Sequence, residues 1–357
     1  MIDGIPVIDG IIHAYNLDPS NYANKHAGVI AELIAGMVGA MARPDFAGPR
    51  QLYIRDWSIE DTARLVFLES DTDLAVYHVL PLNAFHDGMC SFDKALEAKQ
   101  RWPNRIINYC GVDPLQGSAA LDELDRQIEL LRPTGLKLYP NSWVGNEVHA
   151  WSMDDPEVAF PLFERAQKRG LKVVAIHKAV PLGPVPIESY RMDDIDRAAI
   201  AFPNLNFEVV HGGMAFLEET AWQLARFPNV FVNLEVTSAY VATRPRAFDM
   251  AFSTLMSIAG AAALDRIIWG TGAVAFHPQP LLESFVRGFQ FSDSTRERTA
   301  VTPLTKVEKQ KILFGNFAAM TGLDLEQRLA ACRQDEFARS RSEGRAPPFS
   351  TMVSSNA

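Results

Sequence analysis

Eight short apolar runs, separated by segments of helical periodicity, constrain this chain more than any other feature of it. They cover residues 7–13, 74–80, 105–112, 135–139, 172–177, 206–211, 230–235 and 266–270. Most are continuously apolar rather than alternating, which is the pattern of parallel strands covered on both faces. Helical patterns fill the intervals at 58–69, 91–102, 119–131, 156–169, 214–227 and 247–263. Pro103-Asn104, Pro203-Asn204 and Pro228-Asn229 each stop a helix and launch the next strand. Alternation of this kind over 357 residues predicts an α/β fold of the (β/α)8 TIM-barrel type. A doubly wound open sheet is the alternative, and no GxGxxG follows the first strand to support it.

The barrel is expected to be a single catalytic domain over residues 1–343, with residues 17–57 inserted after the first strand. That insertion holds an apolar helical stretch (27–42) and a Pro/Gly-rich loop (43–50), and reads as a lid or substrate wall, or else as a dimerisation element. The polar, Pro-rich residues 344–357 read as a loose tail or one draped on a neighbouring subunit.

Apolar residues make up 48% of the chain, enough for a sizeable core, and a net charge of −9 gives no basic footprint for nucleic acid. Cys90, Cys110 and Cys332 are scattered and form no CxxC pair, so a reducing, cytoplasmic setting is expected. The acidic start MIDGIPVIDG lacks the basic region of a signal peptide. No apolar run reaches the roughly 18 residues that span a bilayer, so no membrane partner is expected.

His13, His177 and His211 each close an apolar run, where a barrel presents side chains to the face that carries active sites. Alternate strand residues share a face, so Lys137 pairs with Tyr139, and Asn233 with Glu235. Glu235 would join the imidazoles as an oxygen donor, and such a set suits Fe, Mn or Zn. His26, in the insertion, could fold over the site as a further metal ligand. Lys137 could be a carboxylated bridging ligand, an anion clamp or a salt-bridge partner. His277, after the eighth strand, and His78, within the second, are further candidates. His86 and His149 read as loop residues, and Glu69 and Asp71 as solvated helix ends. With no GxSxG elbow, Walker loop, HExxH helix or cysteine-centred triad, metal-activated chemistry is the economical expectation.

At VIDGIIH (7–13), GLKLYP (135–140), VVAIH (173–177), VVHGG (209–213), IIWGTG (267–272) and KILFGNFAAMTGL (311–323), the chain resembles the amidohydrolase-related TIM barrels, in the branch of aminocarboxymuconate decarboxylase-like enzymes. The resemblance runs from about Ile5 to Leu323, with two departures. Ile11 stands where the family's D-x-H-x-H carries its first histidine, and Gly272 stands where the last strand carries a metal-binding aspartate.

The remaining histidines with Glu235 resemble a rebuilt metal site, as in the TIM-barrel non-haem diiron monooxygenases of platensimycin and platencin biosynthesis. That resemblance implies two irons held by His13, His26, His177, His211 and Glu235. It also implies dioxygen as co-substrate and hydroxylation of an apolar small molecule such as an acyl-CoA; Lys137, Tyr139 and His277 are the expected catalytic residues. The alternative is a Zn- or Mn-dependent hydrolase or decarboxylase of the parent family, with His277 as substituted proton shuttle. A metal-free barrel without catalysis is the third reading. A homo-oligomer is compatible with all three.

Overall fold

The computed structural model describes residues 1–353. Ten strands form in chain order: β1 (Ile8–Ile12), β2 (Leu74–His78), β3 (Ile106–Gly111), β4 (Gly135–Leu138), β5 (Asn141–Val144), β6 (Glu147–Ala150), β7 (Val173–Ile176), β8 (Asn206–Val209), β9 (Val230–Asn233) and β10 (Ile267–Ile268). Eight of them build one parallel sheet in the order β1-β2-β3-β4-β7-β8-β9-β10, and each predicted run supplies one strand. The sheet closes on itself, because Gly10 N–H donates to Trp269 O at 2.9 Å and Gly272 N–H to Ile11 O at 3.1 Å. Gly10 is required at this seam: a Cβ there would lie 2.7 Å from Asn233 Nδ2 and 2.8 Å from the Trp269 carbonyl.

The amino end of the barrel is plugged by an apolar cluster of early strand residues, among them Ile8, Leu74, Ile107 and Val173, with Phe317 and Met320 of the closing helix Asn316–Thr321. Burial of these side chains at roughly 25 cal/mol per Å² makes this floor stable and leaves the opposite end free for polar groups. The stretch Pro245–Asp265 is long and apolar enough to cross a bilayer by length and composition. One face of it packs against the protein, however, with Phe248 and Phe252 buried against Phe285, Phe289 and Phe291.

The insertion folds into the helix Lys25–Met41 and a short turn of helix, Arg50–Tyr53. Asn24 caps the longer helix and also reaches the carbonyls of Asn83 and Trp143, while Arg244 donates to Ala40 O. These contacts lie in the segments that follow β2, β4 and β9, Trp143 being in β5, so the insertion forms a wall beside the barrel mouth. The β5–β6 hairpin, which the sequence did not announce, is part of the same rim.

The tail differs from the loose segment expected. Ala346 N–H donates to Leu68 O, Phe349 and Thr351 bind the Glu69 carboxylate, and Val353 N–H binds Asp61 Oδ1. The physical reason is Glu69: it is buried rather than solvated, and a buried carboxylate needs donors. Residues 354–357 of the expected tail lie outside the described ones.

Candidate active site

Three successive strand ends put His177, His211 and Glu235 side by side. His211 Nε2 and His177 Nδ1 are 2.8 Å apart, and His177 Nε2 lies 2.9 Å from the Val180 carbonyl oxygen. On the other side, His211 Nδ1 and Glu235 Oε2 face each other as a buried ion pair. The backbone is left-handed at or beside each of these positions: Ala179 (φ 65), His211 (φ 75) and Val236 (φ 63). A β-branched residue in that region is a real outlier, and strain gathered at one place marks a functional constraint. Gly212 and Gly213 continue the turn, and Thr237 Oγ1 ties it down by donating to the His211 carbonyl at 2.8 Å.

The hydrogen-bond directions fix how protons are arranged. The Val180 carbonyl can only accept, so His177 Nε2 carries a hydrogen and His177 Nδ1 is the acceptor. His211 Nε2 must then be the donor between the two rings. His211 Nδ1 and Glu235 Oε2, which face each other, are placed so that one proton could be held between them. Burial, followed by the charges of His211 and Lys137, pushes His177 well below the usual histidine range and keeps it neutral. Burial raises the Glu235 carboxyl, but His211, His13 and Lys137 together outweigh it and hold it below the usual range.

His13 sits at the end of β1, stacked on Tyr15 at 4.6 Å, with Nδ1 3.8 Å from Cys90 Sγ. Burial pushes His13 down to about 3, and it is neutral at ordinary pH. Tyr139 stacks on His177 at 4.3 Å, and Tyr190 meets the same ring edge-on. Lys137 is buried, and Tyr139 lies beneath its ammonium at 5.3 Å. Deeper in the barrel, Glu208 accepts from Tyr109 Oη at 3.1 Å and Asn233 Nδ2 at 2.6 Å, and His78 Nε2 meets the Gly10 carbonyl at 3.1 Å.

Two of the expected site residues lie elsewhere. His26 Nε2 bonds the Asn146 carbonyl of the β5–β6 turn at 3.1 Å. His277 caps the helix Pro278–Glu283 and pairs with Glu69 at 3.2 Å, packed between Phe46 and Phe349. Sequence reading missed Tyr15, Cys90 and Tyr190, whose only signal is their nearness to strand or loop ends.

The two-iron expectation gains no support from the same geometry. Among the described residues no group of three or more His, Cys, Asp or Glu side chains is arranged to hold a metal ion. His177 and His211 spend their facing nitrogens on each other. Ile11, at the position of the missing histidine, is buried in the apolar cluster of the barrel floor. The donor set expected for two irons is therefore not brought together as it is folded.

The amidohydrolase family model matches residues 83–323. No curated protein sequence matches the chain. Solved structures share the fold. An uncharacterised TIM-barrel protein from Bordetella bronchiseptica aligns at TM-score 0.63 and 18% identity, over 89% of this chain and 100% of its own. 2,6-Dihydroxybenzoate decarboxylase from Rhizobium aligns at TM-score 0.52 and 16% identity, over 80% and 97%. 5-Carboxyvanillate decarboxylase from Novosphingobium aromaticivorans, complexed with manganese and 4-hydroxy-3-methoxy-5-nitrobenzoic acid, aligns at TM-score 0.53 and 14% identity, over 90% and 97%. At such identities the likeness carries the fold alone.

Proposed function

The chain belongs to the amidohydrolase family, and from that premise we propose that it is an enzyme of small-molecule carboxylates, a decarboxylase in preference to a hydrolase. The observation that carries this reading is the hydrogen-bonded chain from Val180 O through His177 and His211 to Glu235, set at strained strand ends beside the buried Lys137. Decarboxylation needs one proton delivered to carbon, and the facing His211 and Glu235 are placed to hold and deliver one. The carbon–carboxylate bond breaks, carbon dioxide leaves, and the electron pair stays on carbon. The proton shared by His211 and Glu235 is added there, and a proton from solvent restores the pair. Tyr15, Tyr139 and Tyr190 pack on His13 and His177, and water excluded by them strengthens each charge inside. The decarboxylases that share the fold support this choice over amide or ester hydrolysis.

The iron-oxygenase reading, with dioxygen and an acyl-CoA substrate, has no such support: it needs two cation positions, and His26, one of its expected ligands, is engaged elsewhere. The test is carbon dioxide release from a panel of hydroxylated benzoates in deuterated water, run beside a panel of lactones and amides. Release with deuterium at the vacated carbon is the expected result. Turnover confined to lactones or amides would replace decarboxylation by hydrolysis.

A further inference from the structure

Lys137 has an unusual position for an ammonium. It rises from β4 into the barrel and is 1% exposed, yet among the described residues its Nζ donates no hydrogen bond. Groups on five other strands or strand ends feel its charge: His13, His78, His177, Glu208 and Glu235. Only a place near the barrel axis is shared by all five. The nearby carboxylates are already committed, Glu235 to His211 and Glu208 to Tyr109 and Asn233. The ammonium thus keeps its donors unspent at a narrow cavity of about 10 Å³, room for a single water-sized group such as one oxygen of a ligand, also lined by Tyr139, Asn141 and Ser142, and by Asp113, whose carboxylate is taken up by Asn83 and Ser142.

A buried ammonium without hydrogen bonds is costly, and an oxyanion that accepts from it removes the cost. A divalent cation at the same place would be repelled by it. We propose that Lys137 is the anchor for the substrate's carboxylate in this barrel, and that the site takes a small carboxylate without a divalent cation. The inference rests on the reading of the site as one for carboxylates and goes beyond it by naming the group that binds.

The test uses the whole chain dialysed against EDTA, with metal content measured, and benzoate and 2,6-dihydroxybenzoate as probes. Calorimetric titration is expected to show binding that persists in EDTA and weakens at least thirtyfold in Lys137→Met. Benzamide, the neutral counterpart, is expected to bind both proteins alike, which a merely structural role for Lys137 would not produce. Should the variant not fold, the lysine 13Cε resonances of the wild-type protein give the reading, because benzoate must shift that of Lys137. Binding that requires added Mn2+, equal benzoate affinity in Lys137→Met, an unmoved Lys137 resonance, or no binding of either probe overturns the inference. Carbon dioxide release that continues in Lys137→Met with Mn2+ overturns the anchor and leaves decarboxylation standing. Lys137-dependent binding with no release from any carboxylate does the reverse.

Discussion

A Cβ on residue 272 would lie 2.3 Å from Glu235 Oε1, so the glycine just beyond the last strand and the carboxylate just beyond β9 occupy one space between them. Gly272 also has φ +73, a conformation that other residues adopt only at a cost. The resemblance places an aspartate on the last strand; here the carboxylate comes from beyond β9 instead, and glycine makes room for it.

Gly272→Ala is therefore expected to lower stability by about 1–3 kcal/mol and to displace Glu235 from His211. Pairing it with Glu235→Ala removes the clash, so the two losses, read from urea unfolding, should fall short of their sum by on the order of 1 kcal/mol. Strictly additive losses would show that the two positions do not share the space.

Glu235→Gln keeps the shape of the side chain but removes its capacity to share a proton with His211. Turnover is expected to fall by roughly 10²- to 10⁴-fold, the usual contribution of a positioned acid or base, with little change in melting temperature. His211→Asn should lose a similar factor, and the double variant little more, because both break one chain. Unchanged turnover in Glu235→Gln would remove the proton role from this carboxylate.

Lys137 is pushed down to about 8 by burial, with Glu235 and Glu208 pulling it back up. Carboxylate binding should accordingly weaken as pH rises through about 8, approaching tenfold per pH unit beyond it. The sign for stability is opposite. Between about 8 and the ordinary 10.5 the unfolded chain holds the proton and the folded one does not, so this group makes stability rise with pH. Benzoate titrations and chemical denaturation from pH 7 to 10 check both directions.

The barrel was legible because its strands are buried on both faces and read as continuous apolar runs. Convergence of His177, His211 and Glu235 was legible too, because strand ends of one parallel sheet share a face. What spacing does not encode is where lone pairs point. The same three residues could surround a cation or hydrogen-bond to one another, and the positive-φ turns at Ala179, His211 and Val236 are not legible in the spacing either. The β5–β6 hairpin was hidden by its short, half-polar strands. Glu69 read as a solvated helix end because its partners, His277, Phe349 and Thr351, lie more than 200 positions along the chain.

Glu69 gives the last prediction. Phe349 N–H at 2.6 Å, Thr351 N–H at 2.8 Å and Thr351 Oγ1 at 2.6 Å donate to its carboxylate, and His277 Nε2 is 3.2 Å away. Burial raises this carboxyl, but His277 and the tail donors outweigh it and hold it below the ordinary 4.5. A carboxylate depressed in the folded state contributes stability that is present above the unfolded value and lost as pH falls through the folded one. Truncation after Glu343 removes three of these donors, and should lower stability near neutral pH by roughly 1–3 kcal/mol. The gap between full-length and truncated chains should then narrow below about pH 4.5, where protonation already weakens the latch. Melting curves of both chains from pH 3 to 7 decide the matter: a gap independent of pH would mean that the tail is held by its apolar contacts and not by Glu69.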